Sequence, residues 1–177
     1  MVLNSAGTAW LGFLQLEENI TDIISSIDDK LYVYIGDSNN YYHVTTITHQ
    51  DVNQSNSALA DLGIHWDGKL FKLDNNTRTI YSSTDPEAAS PTWTARGTIE
   101  NIDADTISRL FIWHDADGED IIYAATQKGL YAHDYTNTIW LETALTLPDH
   151  PRGGKGAATW RDTAYISSGL DIFTYNP

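Results

Sequence analysis

The chain contains no cysteine among its 177 residues. Disulfide bonds, thiolate catalysis and cysteine-ligated zinc sites are therefore excluded. Long hydrophobic runs are missing as well, since no stretch reaches the ~18 apolar residues of a membrane-spanning helix. Residues 1–16 lack the basic start of a signal peptide, and Gly12 and Gln15 interrupt their apolar run. The sequence predicts no membrane insertion.

Positive charge is scarce, with 10 Lys and Arg against 24 Asp and Glu and a net charge of −14. Such a surface repels nucleic-acid phosphates, so nucleic acid is excluded as a partner. The acidity either keeps the surface solvated or attracts cations. It predicts a soluble protein and leaves extracellular and virion-associated locations open.

A tryptophan recurs at a fixed interval, because Trp66, Trp113 and Trp160 stand 47 residues apart. Each precedes a polar turn and a new apolar run. In a second series, Trp93 and Trp140 each stand 20 residues ahead of a member of the first. A period in the 40s with strand-like content is typical of repeat architectures.

An earlier copy of the same turn lies at Ile27–Tyr32, which matches Trp66–Phe71. Each copy reads as short strands rich in Ile, Tyr, Thr and Trp, separated by Gly, Asn and Asp. In the third copy the predicted strands are 107–113, 120–126, 130–134 and 138–145. Four antiparallel strands per repeat are typical of one β-propeller blade.

The sequence therefore predicts an all-β fold, a β-propeller of about four four-stranded antiparallel blades in one domain, 1–177. Its parts are an orphan fourth strand (1–17) and blades at 20–60, 61–100, 105–148 and 153–177, the last incomplete. The segment around Trp10 resembles Ile139-Trp140-Leu141, a fourth strand. Its pairing with the last blade would close the ring and remove an exposed edge. The alternatives are a fragment of a larger propeller and self-association through open blade edges.

The tryptophans are predicted to pack between blades, since large aromatic rings fill such interfaces. The alternative is a row of exposed rings that stack on sugars. The residues concerned are Trp10, Trp66, Trp93, Trp113, Trp140 and Trp160.

Acidic residues give the one metal hypothesis. Asp115, Asp117 and Glu119 alternate around Gly118, as oxygen ligands of Ca²⁺ can. The alternative is a hairpin turn, and no other cofactor is predicted. Acids also recur at one repeat position, where they either line one rim for a cation or cap turns: Asp28, Asp67, Asp115 and Asp162.

The segment His150–Gly156 is a Gly-rich basic loop in an acidic chain. It lacks the spacing of a phosphate-binding Walker loop. It is either a connection between blades or a basic patch for an acidic ligand. The six histidines show no zinc-ligand spacing: His43, His49, His65, His114, His133 and His150.

The segment Tyr81–Asp85, continuing to Thr92-Trp93-Thr94, resembles a degenerate Asp-box with Pro86–Pro91 inserted. The copies thus resemble β-propeller repeats of the sialidase/Asp-box and kelch-like type, and propeller-type proteins of phages and environmental bacteria. In that family the Asp-box is a structural turn. No arginine of this chain stands at a sialidase motif, so the resemblance implies no sialidase activity.

A complete repeat without a catalytic motif predicts a non-enzymatic binding or structural module. Its rim loops, 36–62 and 84–91, would recognise a protein or glycan partner. One alternative is a glycan-processing hydrolase with paired acids at the propeller mouth. The other is a virion or filament assembly component.

Overall fold

The computed structural model describes residues 2–3, 10–12, 20–25, 31–35, 41–44, 49–52, 61–88, 90–103 and 107–177. All regular elements in these ranges are β-strands. Within them, no helix has the length and apolar character needed to cross a membrane. The predicted all-β class is confirmed.

In chain order the strands are β1 (Val2–Leu3), β2 (Trp10–Gly12), β3 (Ile20–Ser25), β4 (Leu31–Ile35), β5 (Tyr41–Val44), β6 (His49–Val52), β7 (Leu62–Trp66), β8 (Lys69–Asp74), β9 (Thr79–Ser83), β10 (Thr94–Thr98), β11 (Ile107–His114), β12 (Asp120–Thr126), β13 (Gly129–Asp134), β14 (Ile139–Thr146), β15 (Ala157–Trp160), β16 (Thr163–Ser168) and β17 (Asp171–Tyr175).

Consecutive strands pair antiparallel, so each sheet is a local meander. Three sheets have four strands, in the orders β3-β4-β5-β6, β7-β8-β9-β10 and β11-β12-β13-β14. The fourth large sheet is β15-β16-β17, and β1 pairs with β2 in a separate small sheet. Among the described residues the Trp10 strand, β2, is hydrogen-bonded to β1, and its pairing with the last sheet stays a prediction.

The predicted strands of the third copy agree with β11–β14 to within one residue at each end. The prediction of an irregular stretch over 36–62 is wrong in part, because it contains β5 and β6. Tyr41-Tyr42-His43-Val44 is rich in strand-forming residues, which outweigh the polar residues around it. Residues 53–60 lie outside the described part of the chain.

The turn after Trp66 shows why the repeat folds locally. Asp67 and Gly68 have φ of 48° and 67°, the left-handed conformation of a type I′ hairpin turn. Asp and Gly adopt this conformation more readily than other residues. The sequence Trp-Asp-Gly-Lys thus fixes a two-residue connection between β7 and β8.

The chain forms two compact units, one of Met1–Lys72 with Ser83–Trp93 and one of Leu73–Ser82 with Thr94–Pro177. In the first, Tyr32, Tyr34 and Leu70 form a buried cluster. The Tyr34 hydroxyl donates to the carbonyl oxygen of Phe71 over 3.1 Å. This bond satisfies the one polar atom of a fully buried ring.

The second unit has an apolar core of its own. It is built where the third and fourth sheets face each other, and β11 also contacts β15. Aromatic rings from both sheets flank it, among them Phe111, Trp113 and Phe173. The buried members are Tyr123, Ala125, Leu130, Leu147 and Ile166.

Candidate active site

The second unit has two chemically different ends. Successive connections of an antiparallel meander lie at alternate ends of its strands. We call one end the loop end, formed by 127–128, 147–156 and 169–170. We call the other the hairpin end, formed by 115–119, 135–138 and 161–162.

Backbone hydrogen bonds fasten the loop 147–156 to both neighbouring sheets. The Leu147 N–H donates to the Lys128 carbonyl over 2.7 Å, and the Gly154 N–H donates to Ser167 over 2.8 Å. The Ser108 hydroxyl donates to the Gly153 carbonyl over 2.8 Å. The loop 147–156 is therefore hydrogen-bonded to three other segments, at Lys128, Ser167 and Ser108.

Two glycines make this close fit possible. A Cβ at Gly153 would lie 2.7 Å from the Gln127 carbonyl oxygen, and one at Gly154 would lie 2.7 Å from that of Thr126. Gly154 also has a φ of +71°. The Gly-Gly pair in the sequence is thus explained by backbone packing rather than by flexibility.

His150 has a defined orientation at the start of this loop. Its Nδ1 accepts the Arg152 N–H over 3.0 Å, and its carbonyl oxygen accepts the Gly153 N–H over 2.7 Å. Because Nδ1 is an acceptor, the neutral imidazole carries its proton on Nε2. The ring lies against Gly169, where a Cβ would be 3.4 Å from Nε2.

Three cations belong to the loop end, and two of them lie in the same loop as His150. Lys128 Nζ lies 3.4 Å from Asp103 and 3.9 Å from Asp149, while Arg152 and Lys155 are exposed. Two carboxylates thus lie near Lys128, and a third, that of Asp171, is exposed at the same end, while the whole chain has a net charge of −14. Exposed ion pairs contribute little to stability, so the Lys128 pairs are not expected to hold the loop in place. The segment connects β14 and β15, and its interpretation as a basic patch for an acidic ligand stays a prediction.

At the hairpin end the Asp115 carboxylate accepts hydrogen bonds from the backbone of its own turn. Asp115 Oδ1 accepts the N–H groups of Asp117 and Glu119 over 2.9 and 3.0 Å. Gly118 supplies the left-handed residue, with a φ of +85°. Among the described residues, no three His, Cys, Asp or Glu are placed to hold a metal ion. Asp115 thus acts as the turn cap that was the alternative to calcium binding, and the Ca²⁺ hypothesis stays a prediction.

Two other acids of the recurring turn position, Asp67 and Asp162, have described side chains. In the first unit Asp67 Oδ2 pairs with Lys69 Nζ over 2.7 Å. Asp162 is exposed in the turn between β15 and β16. Asp28 lies outside the described residues. The Asp67 contact is an ion pair within its hairpin, and both the rim and the turn-capping interpretations of Asp67 and Asp162 stay predictions.

The tryptophans have unequal environments. Trp113 packs against the core of the second unit, and Trp93 against that of the first. Trp66 lies 6.0 Å from the Phe71 ring, and Trp140 lies 4.8 Å from the His133 ring. These rings pack within the units, and the wider role between blades stays a prediction.

Trp160 departs from the predicted packing role. It is 61% exposed, and the Arg161 guanidinium lies 4.4 Å over its ring. The physical reason is its position as the last residue of β15, beside the exposed turn at Arg161 and Asp162. The side chain of Trp10 lies outside the described residues.

The Asp-box-like segment forms a hydrogen-bonded turn. Asp85 Oδ1 accepts the Ser83 hydroxyl over 2.8 Å and the Thr92 N–H over 3.2 Å. These hydrogen bonds lower the pKa of the Asp85 carboxyl below its usual value. Asp85 therefore holds together the two ends of the segment between β9 and β10.

The histidines with described side chains act separately. His133 is 1% exposed, and its Nε2 donates to the Arg96 carbonyl over 2.6 Å. Burial lowers the pKa of His133 below its usual value, so the ring is neutral at pH 7. His114 donates from Nδ1 to the Asp115 carbonyl over 3.0 Å. The side chains of His43 and His49 lie outside the described residues.

Sequence comparison places the chain in no known family: no family model and no curated protein matches it. The fold is shared with solved structures of β-propeller type. Virginiamycin B lyase from Staphylococcus aureus matches with a TM-score of 0.63 and 11% identity over 98% of this chain. Its catalytically inactive variant with quinupristin matches with a TM-score of 0.54 and 14% identity over 94% of this chain.

The chain spans 61% and 58% of the length of these two lyase structures. The similarity shows a propeller-type fold, which confirms the coarser part of the predicted architecture. It contradicts the interpretation of a non-catalytic binding or structural module, because the matching fold belongs to an enzyme.

Proposed function

We propose that the chain is the catalytic part of a β-propeller enzyme and that the loop end of its second unit is the active site. The observation that carries this proposal is an oriented, hydrogen-bonded His150 in a loop that also carries Arg152 and Lys155, within a strongly acidic chain. The fold likeness to virginiamycin B lyase supports it. The reaction class would be elimination beside a carbonyl group.

The chemistry follows from the donors at the loop end. The Asp149 carboxylate, next to His150 in the chain, would accept the proton beside a carbonyl, which leaves negative charge on the carbonyl oxygen. A neutral imidazole that presents an N–H can polarise that oxygen, as His150 Nε2 would. Arg152 and Lys155 would stabilise the developing charge. The leaving group then departs with its bonding electron pair as the double bond forms.

Several finer features belong with this proposal. We expect the four large sheets to act as blades, and we leave their number in the assembled ring open. A relationship to Asp-box or kelch repeats, a phage association, an extracellular location and a protein or glycan partner stay predictions. None of them is needed for chemistry at His150.

The test is turnover by the purified chain, measured by mass spectrometry. Virginiamycin B, quinupristin and a panel of esters with an acidic proton beside the carbonyl serve as substrates. Elimination yields an unsaturated product, whereas hydrolysis adds the mass of one water. We expect His150→Ala to lower kcat/KM by about 10²-fold or more.

The matched control is His114→Ala, which removes a half-buried histidine at the hairpin end. It should leave turnover unchanged. Turnover that survives in His150→Ala, or its absence across the whole panel, would overturn the proposal.

A further inference from the structure

Two large apolar side chains lie exposed beside His150. Leu170 is 101% exposed and Ile172 is 71% exposed. Leu170 directly follows Gly169, the residue against which the imidazole of His150 lies. Apolar surface next to a few polar groups is typical of a ligand site.

Strand register places Ile172 next to the basic loop. Ile172 pairs with Ser167 in the β16–β17 ladder, so their side chains lie on the same face, about 5 Å apart at Cβ. The Ser167 hydroxyl accepts the Gly156 N–H over 2.9 Å, and its backbone N–H donates to the Gly156 carbonyl over 2.8 Å. Lys155 is the neighbour of that glycine.

The turn 169–170 completes the arrangement. Gly169 has a φ of +64°, which turns the chain tightly at the end of β16. The Ser168 hydroxyl donates to the Pro148 carbonyl over 3.3 Å, so the turn is also attached to the basic loop. The apolar and cationic groups therefore belong to one hydrogen-bonded assembly.

We propose that Leu170 and Ile172 form an apolar subsite and that the ligand is an amphipathic organic anion. Its carboxylate or enolate oxygen would meet Arg152, Lys155 and the Nε2–H of His150. Its hydrocarbon part would cover Leu170 and Ile172. This inference rests on the proposed function in taking the loop end as the active site, and it names the substrate class.

Charge complementarity selects this ligand over a neutral one. At the loop end Lys128, Arg152 and Lys155 balance the carboxylates of Asp103, Asp149 and Asp171, whereas the chain as a whole has a net charge of −14, so this end repels an anion less than the rest of the surface does. Covering two exposed aliphatic side chains adds an apolar contribution that a small inorganic anion lacks. Both parts of the ligand are needed for the full affinity.

The test is NMR titration of the full chain with hexanoate, acetate and 1-hexanol. We expect hexanoate to bind most tightly and to shift the signals of His150, Lys155 and Leu170. Leu170→Ser should weaken hexanoate by about tenfold and leave the weak binding of acetate unchanged. Lys155→Gln should weaken both anions and leave 1-hexanol unchanged.

The matched control is Ile139→Ser, which changes an aliphatic residue that is 45% exposed on β14. It should leave hexanoate binding unchanged. Equal binding of hexanoate and acetate, or an equal loss in Ile139→Ser and Leu170→Ser, would overturn the subsite. If hexanoate binds as expected without any ester turnover, the subsite stands and the proposed enzymatic function fails. If His150-dependent turnover persists without hexanoate binding, the proposed enzymatic function stands and the subsite fails.

Discussion

The two ends of the second unit use charged residues in opposite ways. At the hairpin end, the Asp115 carboxylate binds the backbone of its own turn. At the loop end, Arg152 and Lys155 are exposed, and the glycines between them carry the packing. Acidic density in the sequence therefore indicates turn structure in this unit, while the rarer cations indicate the candidate site.

This difference has a physical origin. A short Asp side chain reaches the N–H groups two to four residues ahead, so its role is decided within the turn. Long Lys and Arg side chains cannot close such local bonds as easily, and their charged groups stay in solvent. A packed basic loop is thus a better indication of a functional site than an acidic turn whose carboxylate bonds to its own backbone.

The largest expected effect comes from adding a methyl group at the loop end. Gly154→Ala places a Cβ 2.7 Å from the Thr126 carbonyl oxygen at a φ of +71°. Overpacking and left-handed strain together should lower the free energy of unfolding by about 2–4 kcal/mol. Chemical denaturation measures this change.

Gly118→Ala at the hairpin end is the matched control, because no atom lies within 4 Å of its Cβ position despite a φ of +85°. Only the strain of about 1–2 kcal/mol should be seen. Equal losses in the two variants would remove the distinction between a packed loop and an open turn.

An intermediate effect is expected from the turn cap. Asp115→Ala leaves the N–H groups of Asp117 and Glu119 without their acceptor and should cost about 1 kcal/mol. Thermal unfolding followed by circular dichroism measures the loss. Asp117→Ala keeps that acceptor and should be close to neutral, so a larger loss in Asp117→Ala would contradict the assignment.

The smallest effect is expected from the exposed ion pairs of the loop end. Lys128→Gln removes contacts to Asp103 and Asp149 at 3.4 and 3.9 Å. The free energy of unfolding should fall by less than about 0.5 kcal/mol, and the difference should vanish in about 1 M salt because these charges are screened. A large loss that salt does not reduce would show that Lys128 supports the loop itself.

Much of the strand pattern can be predicted, because its causes are local. The third copy is predictable to within one residue, since Asp-Gly and Lys-Gly turns separate its runs of strand-forming residues. The first copy is less predictable. The tyrosines of β5 follow a polar segment, and the polar residues favour the prediction of a loop. The pairing of β2 with β1 depends on which strand edge is available, which local sequence does not state.

Only part of the candidate site can be predicted from the sequence. The basic loop His150–Gly156 can be recognised by its composition. The hydrogen bond from the Arg152 N–H to His150 Nδ1 cannot be predicted from the sequence. Leu170 fits an ordinary strand pattern, although it is fully exposed in a turn. The packing of the His150 ring depends on a neighbour that is distant in sequence, Gly169.

The sequence by itself determined the repeat, the all-β class and the positions of most hairpin turns, because backbone conformation at Asp, Asn and Gly depends on adjacent residues. Only the tertiary structure decided that Trp160 is exposed while Trp113 is packed, and that His150, Lys155 and Leu170 lie around one loop. Burial and proximity arise from contacts between segments, so a period of 47 residues marks equivalent positions without making their environments equal.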